Sequence, residues 1–251
     1  VTLGAYGDEW RLVFKKVWES KGGIITADKP ANYYMETDFS SQLTAAIATG
    51  PDVMLIGGPT GATALVIEQA RGLGFKGGFI LIDQPRQDHI EKLLGSTKLM
   101  GNTIGPAAAD YMPPRPSQKF IERYRAEYKK AGAMESAVNY TLMYVLAKAV
   151  TAAQTVDDVY KIRASFTKAL PVLADRFPME IKGITEEGRF LIYSSTQSIT
   201  DGKWDPPVVY VWWTKTQAEF DEVDRLSQLD KRIQKRSEER RVGKECRYRW
   251  S

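Results

Sequence analysis

The residues Gly57-Gly58-Pro59-Thr60-Gly61 follow the apolar run Val53–Ile56 and open a helical stretch that reaches about Leu73. A glycine-rich turn at the C-terminal end of a strand is where open α/β sheets place ligands. Its backbone N–H groups, the Thr60 hydroxyl and the positive end of the helix suit a carboxylate. The same residues also suit an ordinary tight βα turn. Asp83-Gln84 ends the next strand, Phe79–Ile82, and sets a carboxylate beside that loop on the same sheet edge. Tyr6, at the end of the first strand, offers a ring to pack on and a hydroxyl to bond with. An anion-friendly loop beside a lone acid suits a zwitterion such as an amino acid. Tyr6, Gly58, Pro59, Thr60, Asp83 and Gln84 are therefore the candidate ligand contacts.

Little else in the chain could do chemistry. The single histidine, His89, lies among Asp88, Ile90 and Glu91, an exposed helix setting that does not favour acid–base catalysis. No G-x-S-x-G elbow, H-E-x-x-H pair or P-loop occurs. Gly72-Leu-Gly74-Phe-Lys-Gly77 matches G-x-G-x-x-G, but it follows a helix and precedes a strand, the reverse of a dinucleotide site. Asn139-Tyr140-Thr141 matches a glycosylation sequon inside an apolar helix. Trp212 and Trp213 end the aromatic run Val208–Trp213, which suits core packing or a stacking surface. The only cysteine is Cys246, so the body has neither a thiol nucleophile nor a thiolate metal site. The residues point to a binding protein rather than an enzyme, with no cofactor and no metal.

These candidates need elements to hold them. From Val1 to about Gly105, short apolar runs alternate with helical periods. The pattern predicts strands at Val1–Gly4, Ile24–Ala27, Val53–Ile56 and Phe79–Ile82. Helices are expected over Asp8–Lys21 (Trp10, Phe14, Val17 and Trp18 inward), Phe39–Thr49 behind an Asp38 N-cap, from the Gly57–Gly61 turn to about Leu73, and His89–Leu94. Strands separated by helices call for right-handed crossovers and a parallel sheet. After Gly105 come Pro106, Pro113, Pro114 and Pro116, then helices near Ser117–Ala131, Glu135–Ala153 and Val156–Leu170. Strands Gly188–Gln197 and Val208–Trp213 follow, separated by a turn at Asp201-Gly202-Lys203, and Arg225–Lys235 is charged and helix-permissive. Three helices without strands either pack on the first sheet or belong to a second sheet whose strands are missing. The second explanation is preferred, and it leaves Tyr140, Val145 and Leu146 exposed.

The chain has 251 residues, of which 43% are hydrophobic and 26% charged, enough for a sizeable core. It has no apolar stretch of transmembrane length. Its start, Val1-Thr2-Leu3-Gly4, has no Met, basic n-region or apolar h-region. Of the net charge of +4, the last segment, Arg236–Ser251, carries +3, so the body is nearly neutral and nucleic acid is not an expected partner. That segment, RSEERRVGKECRYRW, resembles the in-frame translation of a sequencing adapter and is set aside as non-native.

One further set of residues carries a family resemblance. Tyr6-Gly7, Asp38-Phe39-Ser40-Ser41-Gln42-Leu43, Pro51-Asp52-Val53, Ile56-Gly57-Gly58 and Gln69-Ala70-Arg71-x-Leu73-Gly74 are similar, in order and spacing, to solute-binding proteins of ABC transporters of the branched-chain amino-acid (Leu/Ile/Val-binding) type. Tyr140 within Asn139–Ala147 and Thr185–Gly188 continue the match to about Trp213. The resemblance implies a type I periplasmic binding fold, α/β with a parallel sheet and flanking helices, closing on a ligand by hinge motion. It assigns 1–105 to a near-complete second lobe, 106–187 to a partial, helical first lobe, 188–225 to strands returning to the second lobe, and 226–251 to a charged tail. On that comparison the chain is a C-terminal fragment, without its signal and most of the first lobe's sheet. The implied partners are a small-molecule ligand and a membrane permease, with a periplasmic or lipid-anchored location. Tyr140 joins the ligand contacts from the first lobe. Where amino-acid binders often have an aromatic after Gly-Gly, this chain has Pro59-Thr60, which leaves amides or small organic acids open. Rival expectations are a cytoplasmic ligand-sensing domain of the same fold and, more weakly, a doubly wound enzyme.

Overall fold

A computed structural model describes residues 1–107, 115–130, 132, 134–172, 177–184, 188, 190–192, 194–205, 208–211, 233–235 and 246–250. The chain forms two compact units, Val1–Ala107 with Thr196–Asp205, and Ala108–Ser195 with Pro206–Ser251.

The first unit is built from βα repeats. Helix α1 covers Ala5–Ser20, α2 Ser40–Ile47, α3 Thr60–Gly72 and α4 Gln87–Leu94. Strands β1 (Val53–Ile56), β2 (Gly78–Leu81) and β3 (Thr103–Pro106) pair in parallel in that order. A strand β6, Ser194–Thr200, then pairs antiparallel with β3, Thr103 opposite Ile199, so the sheet is mixed. The tight turn at Asp201-Gly202 brings β7 (Lys203–Trp204) back on β6. β1 and β2 alternate half-buried and buried residues, which sends Met54, Ile56, Phe79 and Leu81 into one core with Phe39, Leu43, Ile67 and Ile90.

Two expected strands are absent. Of Val1–Gly4 only Thr2 makes a bridge, to Ala31, and Ile24–Ala27 is in no ladder. A strand exists only where a neighbour answers its N–H and C=O groups, and here β1 and the Ile24–Ala27 stretch are not paired with each other. Helix α1 begins at Ala5 rather than Asp8, and it buries only Gly7, with Val17 turned out to 48% exposure. The N-cap of α2 is Phe39, and Asp38 one residue earlier accepts the Ser40 N–H at 2.9 Å and its hydroxyl at 2.6 Å.

The second unit holds α5 (Arg115–Tyr128), α6 (Met134–Ala153), α7 (Val159–Ala164) and α8 (Phe166–Ala169). The expected single helix Val156–Leu170 is divided in two, with Asp158 capping α7 by accepting the Lys161 N–H at 3.0 Å. The helices are not bare. Val145, Ala149, Ala169, Val172, Met179 and Ile181 form a core of their own, beside the short hairpin of β4 (Gly183–Ile184) and β5 (Phe190–Leu191). Val145 is therefore fully buried, against expectation, while Tyr140 and Leu146 are exposed as expected.

Later in the chain, β8 (Val208–Val211) pairs antiparallel with β10 (Cys246–Trp250), which pairs with β9 (Ile233–Lys235). The end of the segment set aside in the sequence is thus placed as a strand, as is the end of the helix-permissive stretch. Pro113, Pro114, Thr185, Trp212 and Trp213 lie outside the described residues.

Candidate functional site

The turns after β1 and β2 emerge side by side because those strands are parallel neighbours in register, Ile56 opposite Leu81. After β1 the chain passes through Gly57 and Gly58 into α3. Gly58 is required by close packing: a Cβ there would lie 2.8 Å from the Tyr33 ring and 3.2 Å from the Thr2 Cβ. Gly57 combines a φ of +148° with an ideal Cβ position only 2.4 Å from Ile82, so a side chain is excluded on two counts. Pro59 is the N-cap of α3, and no side chain caps that helix start. Its first-turn N–H groups are therefore open to an anion.

The turn after β2 carries Asp83, Gln84, Pro85 and Arg86 into α4. Thr60 Oγ1 accepts the Arg86 N–H at 3.2 Å, so the two turns are tied together, and the Thr60 hydroxyl still has its proton to donate. Asp83 and Gln84 are exposed. Tyr6, in the first turn of α1, donates its hydroxyl to Asp83 Oδ1. Burial, and then that carboxylate, raise the Tyr6 hydroxyl well above the ordinary tyrosine range, so Tyr6 is a neutral donor at physiological pH.

Tyr6, Gly58, Pro59, Thr60, Asp83 and Gln84 are thus all in the first unit, Tyr6 on α1 and the others on the turns after β1 and β2 or the helix start that follows. The Tyr6–Asp83 and Thr60–Arg86 bonds link them. Tyr140 is in the second unit, on α6. There its ring packs at a tilt against Phe120 at 5.1 Å and Tyr144 at 5.2 Å between ring centroids, and it shares a 3.4 Å hydroxyl contact with Tyr144.

Three features escape a reading of the sequence. Arg86 lies on the Asp83 turn, and burial lowers its pKa despite Asp88 and Asp83 nearby. Its signal was its adjacency to Asp83-Gln84. Tyr33, under Gly58, is 6% exposed. The third is a run of rings in the second unit, Tyr128, Tyr124, Phe120, Tyr140, Tyr144 and Phe177, each in tilted or edge-on contact with the next at 4.8–6.2 Å between centroids. Spacings of four residues within α5 and α6 foreshadow most of it.

His89 is half-exposed beside Asp88 at 3.7 Å. Among the described residues, no group of three His, Cys, Asp or Glu side chains is placed to hold a metal, and no helix is long and apolar enough to cross a membrane.

Comparison with known proteins gives these turns a context. A family model described as periplasmic binding protein matches residues 3–213. A leucine-binding protein of Thermotoga maritima is similar at 25% identity and a TM-score of 0.63, over 76% of this chain and 53% of that one. The isoleucine-bound substrate-binding protein of a branched-chain amino-acid transporter from Streptococcus pneumoniae shares the fold, with 18% identity, a TM-score of 0.60, and 78% and 54% of the two chains covered. The periplasmic ligand-binding protein of a branched-chain amino-acid ABC transporter from Burkholderia xenovorans also shares it, with 19% identity, a TM-score of 0.58, and 82% and 56% covered. No match was found among curated proteins. The chain spans about half the length of these solved relatives. Its mixed sheet with flanking helices is that of the type I periplasmic binding fold, and the chain belongs to the periplasmic binding protein family.

Proposed function

We propose that this chain is part of a receptor that captures an amino acid or a related small polar solute, by closure of two lobes about the strands joining them, and delivers it to the permease of an ABC importer. The observation that carries the reading is the paired arrangement on the two turns. In this reading Asp83, bonded by the Tyr6 hydroxyl, takes the ligand ammonium, and the uncapped start of α3 after Gly58 takes its carboxylate. Arg86, on the Asp83 turn, adds positive potential on the carboxylate side. Tyr140 packs against the ligand body from the other lobe. The receptor works by binding alone, outside the cytoplasm, and does no chemistry on its ligand.

Isothermal titration at neutral pH with leucine, and with the 2-oxo acid that replaces its ammonium by a carbonyl, tests this. Asp83→Asn is expected to weaken leucine at least about tenfold and the 2-oxo acid far less, because only the amino acid loses a charge partner. Equal affinities of the variant and the parent for leucine would remove Asp83 from the site.

A further inference from the structure

Within the candidate site, Tyr6 is the residue whose chemistry is ambiguous by itself. A tyrosine hydroxyl has one proton to give and lone pairs to offer. It could donate to a ligand carboxylate or accept from a ligand ammonium, and its other partners decide which.

Two partners hold the Tyr6 oxygen. Tyr6 donates its proton to Asp83 Oδ1. Trp10, four residues on in the same helix α1, hydrogen-bonds to the same hydroxyl. Side chains at that spacing on a helix are neighbours. An indole N–H is a donor only, so Trp10 occupies a lone pair of the Tyr6 oxygen. The two partners act on the hydroxyl in opposite senses. After burial, the bond to Asp83 raises its pKa, as an acceptor of the phenol proton does, and the bond from Trp10 lowers it, as a donor to the oxygen does. The direction of both bonds follows.

The backbone under this pair is held as well. Gly7, buried next to Tyr6, lets the first turn of α1 lie directly on residue 2, where a Cβ would come within 1.8 Å of the Thr2 carbonyl oxygen. Trp10 is half-buried, whereas Tyr6 and Asp83 are exposed. The cluster thus has a covered end at the indole and an open end at the carboxylate. No hydroxyl proton is left for a ligand at the open end. What is left is a set of acceptors, the second lone pair of Tyr6 and Asp83 Oδ2.

We propose that Trp10 is a positioning residue for the ligand ammonium. By donating its indole N–H to the Tyr6 oxygen, it commits the Tyr6 proton to Asp83. This end of the site then accepts hydrogen bonds and gives none, so it admits an N–H cation and turns away a carboxylate. The inference rests on the amino-acid reading above and adds to it a residue that need not touch the ligand. Without the indole N–H, the Tyr6 hydroxyl is free to turn its proton toward the ligand, and discrimination between the two ends of a zwitterion is lost.

Trp10→Phe keeps a ring in the half-buried place and removes the donor. Benzothienylalanine at position 10, with sulfur in place of the indole nitrogen, keeps the full shape should Trp10→Phe not fold. By NMR, the Trp10 indole proton of the parent chain is expected to exchange at least about tenfold more slowly than that of Tyr6→Phe. Equal exchange overturns the proposal without reference to any ligand. In isothermal titration, loss of the indole N–H is expected to weaken leucine about fivefold and to leave its 2-oxo acid no weaker than in the parent, with no further loss of leucine on the Tyr6→Phe background. Equal weakening of both ligands, or a loss that persists without the Tyr6 hydroxyl, makes Trp10 a packing residue and overturns the proposal. If Asp83→Asn binds leucine as the parent does, the amino-acid reading fails and the ammonium role of Trp10 fails with it. Slow indole exchange in the same chain would then show that the reading was wrong and the Trp10–Tyr6 bond was not.

Discussion

Asp83 and Tyr6 are separated by 77 positions in sequence, yet share a hydrogen bond. Each is unremarkable alone, and the feature exists only because α1 starts where the β2 turn ends. A second pair at this scale makes a quantitative prediction. Arg11 on α1 grips Asp28 with two bonds, Nε to Oδ1 at 2.7 Å and Nη2 to Oδ2 at 2.6 Å, and so pins the stretch around Asp28 to the helix. Those bonds, against the opposing pull of desolvation, hold the Asp28 carboxyl below its ordinary value of 3.8. Folding thus favours the ionised form. The contribution is complete above the unfolded value near pH 4 and is lost as pH falls through the lower folded value. The pair is partly exposed, so it is worth less than about 1 kcal/mol. Urea titrations of Arg11→Met should show that deficit at pH 7 and none near pH 2. A deficit that persists in acid would mean that Arg11 acts through packing instead.

At the scale of elements, the G-x-G-x-x-G stretch has a structural role. Arg71, in the last turn of α3, donates to the carbonyls of Phe75, Gly77, Leu99 and Gly101 at 2.8–3.0 Å, and its guanidinium lies 4.5 Å from the Phe79 ring centroid. The stretch is a helix exit moulded around a cation, and at Gly77 a Cβ would instead meet Asp52 O and the Phe75 ring. Arg71→Met leaves these carbonyls without their donor, and the expected loss is about 3 kcal/mol by urea denaturation, with Arg71→Lys recovering part of it. A loss below about 1 kcal/mol would show that water replaces the guanidinium. Gln87, 1% exposed at the start of α4, does similar work where the chain leaves the first unit. Its amide donates to Pro106 O on β3 and Gln197 O on β6 at 3.0 and 2.9 Å. The element that follows the Asp83 turn is thereby tied to both strands.

Over the whole molecule, each unit has its own hydrophobic core, one around Phe39, Ile67 and Phe79 and the other around Val145, Ala149 and Ile181. Val145→Ala should therefore act on the second unit alone. Removal of two buried methyl groups costs about 2 kcal/mol, read as faster exchange of the α6 amides while those of β1 and β2 keep their protection. If both sets accelerate together, the units unfold as one. The mixed order of the first sheet also belongs to this scale. β6 returns to β3 after some ninety intervening residues, and no local pattern announces which strand it joins.

The residues alone determined the βα repeats of the first unit, because glycine stops and apolar alternation are local properties, and Val53–Ile56 is a strand as its composition demands. They also determined the family, because Tyr6-Gly7, Asp38–Leu43 and Ile56-Gly57-Gly58 keep their order and spacing. The candidate contacts Gly58, Thr60 and Asp83 could be read from their places at strand ends, whereas Arg86 and Tyr33 could not, since burial beneath a turn leaves no periodic trace. Ile24–Ala27 has the sequence of a strand and is not one, and Val145 was expected outside and is buried. Both outcomes depend on which distant segment supplies a hydrogen-bond partner or an apolar neighbour, and only tertiary structure decides that.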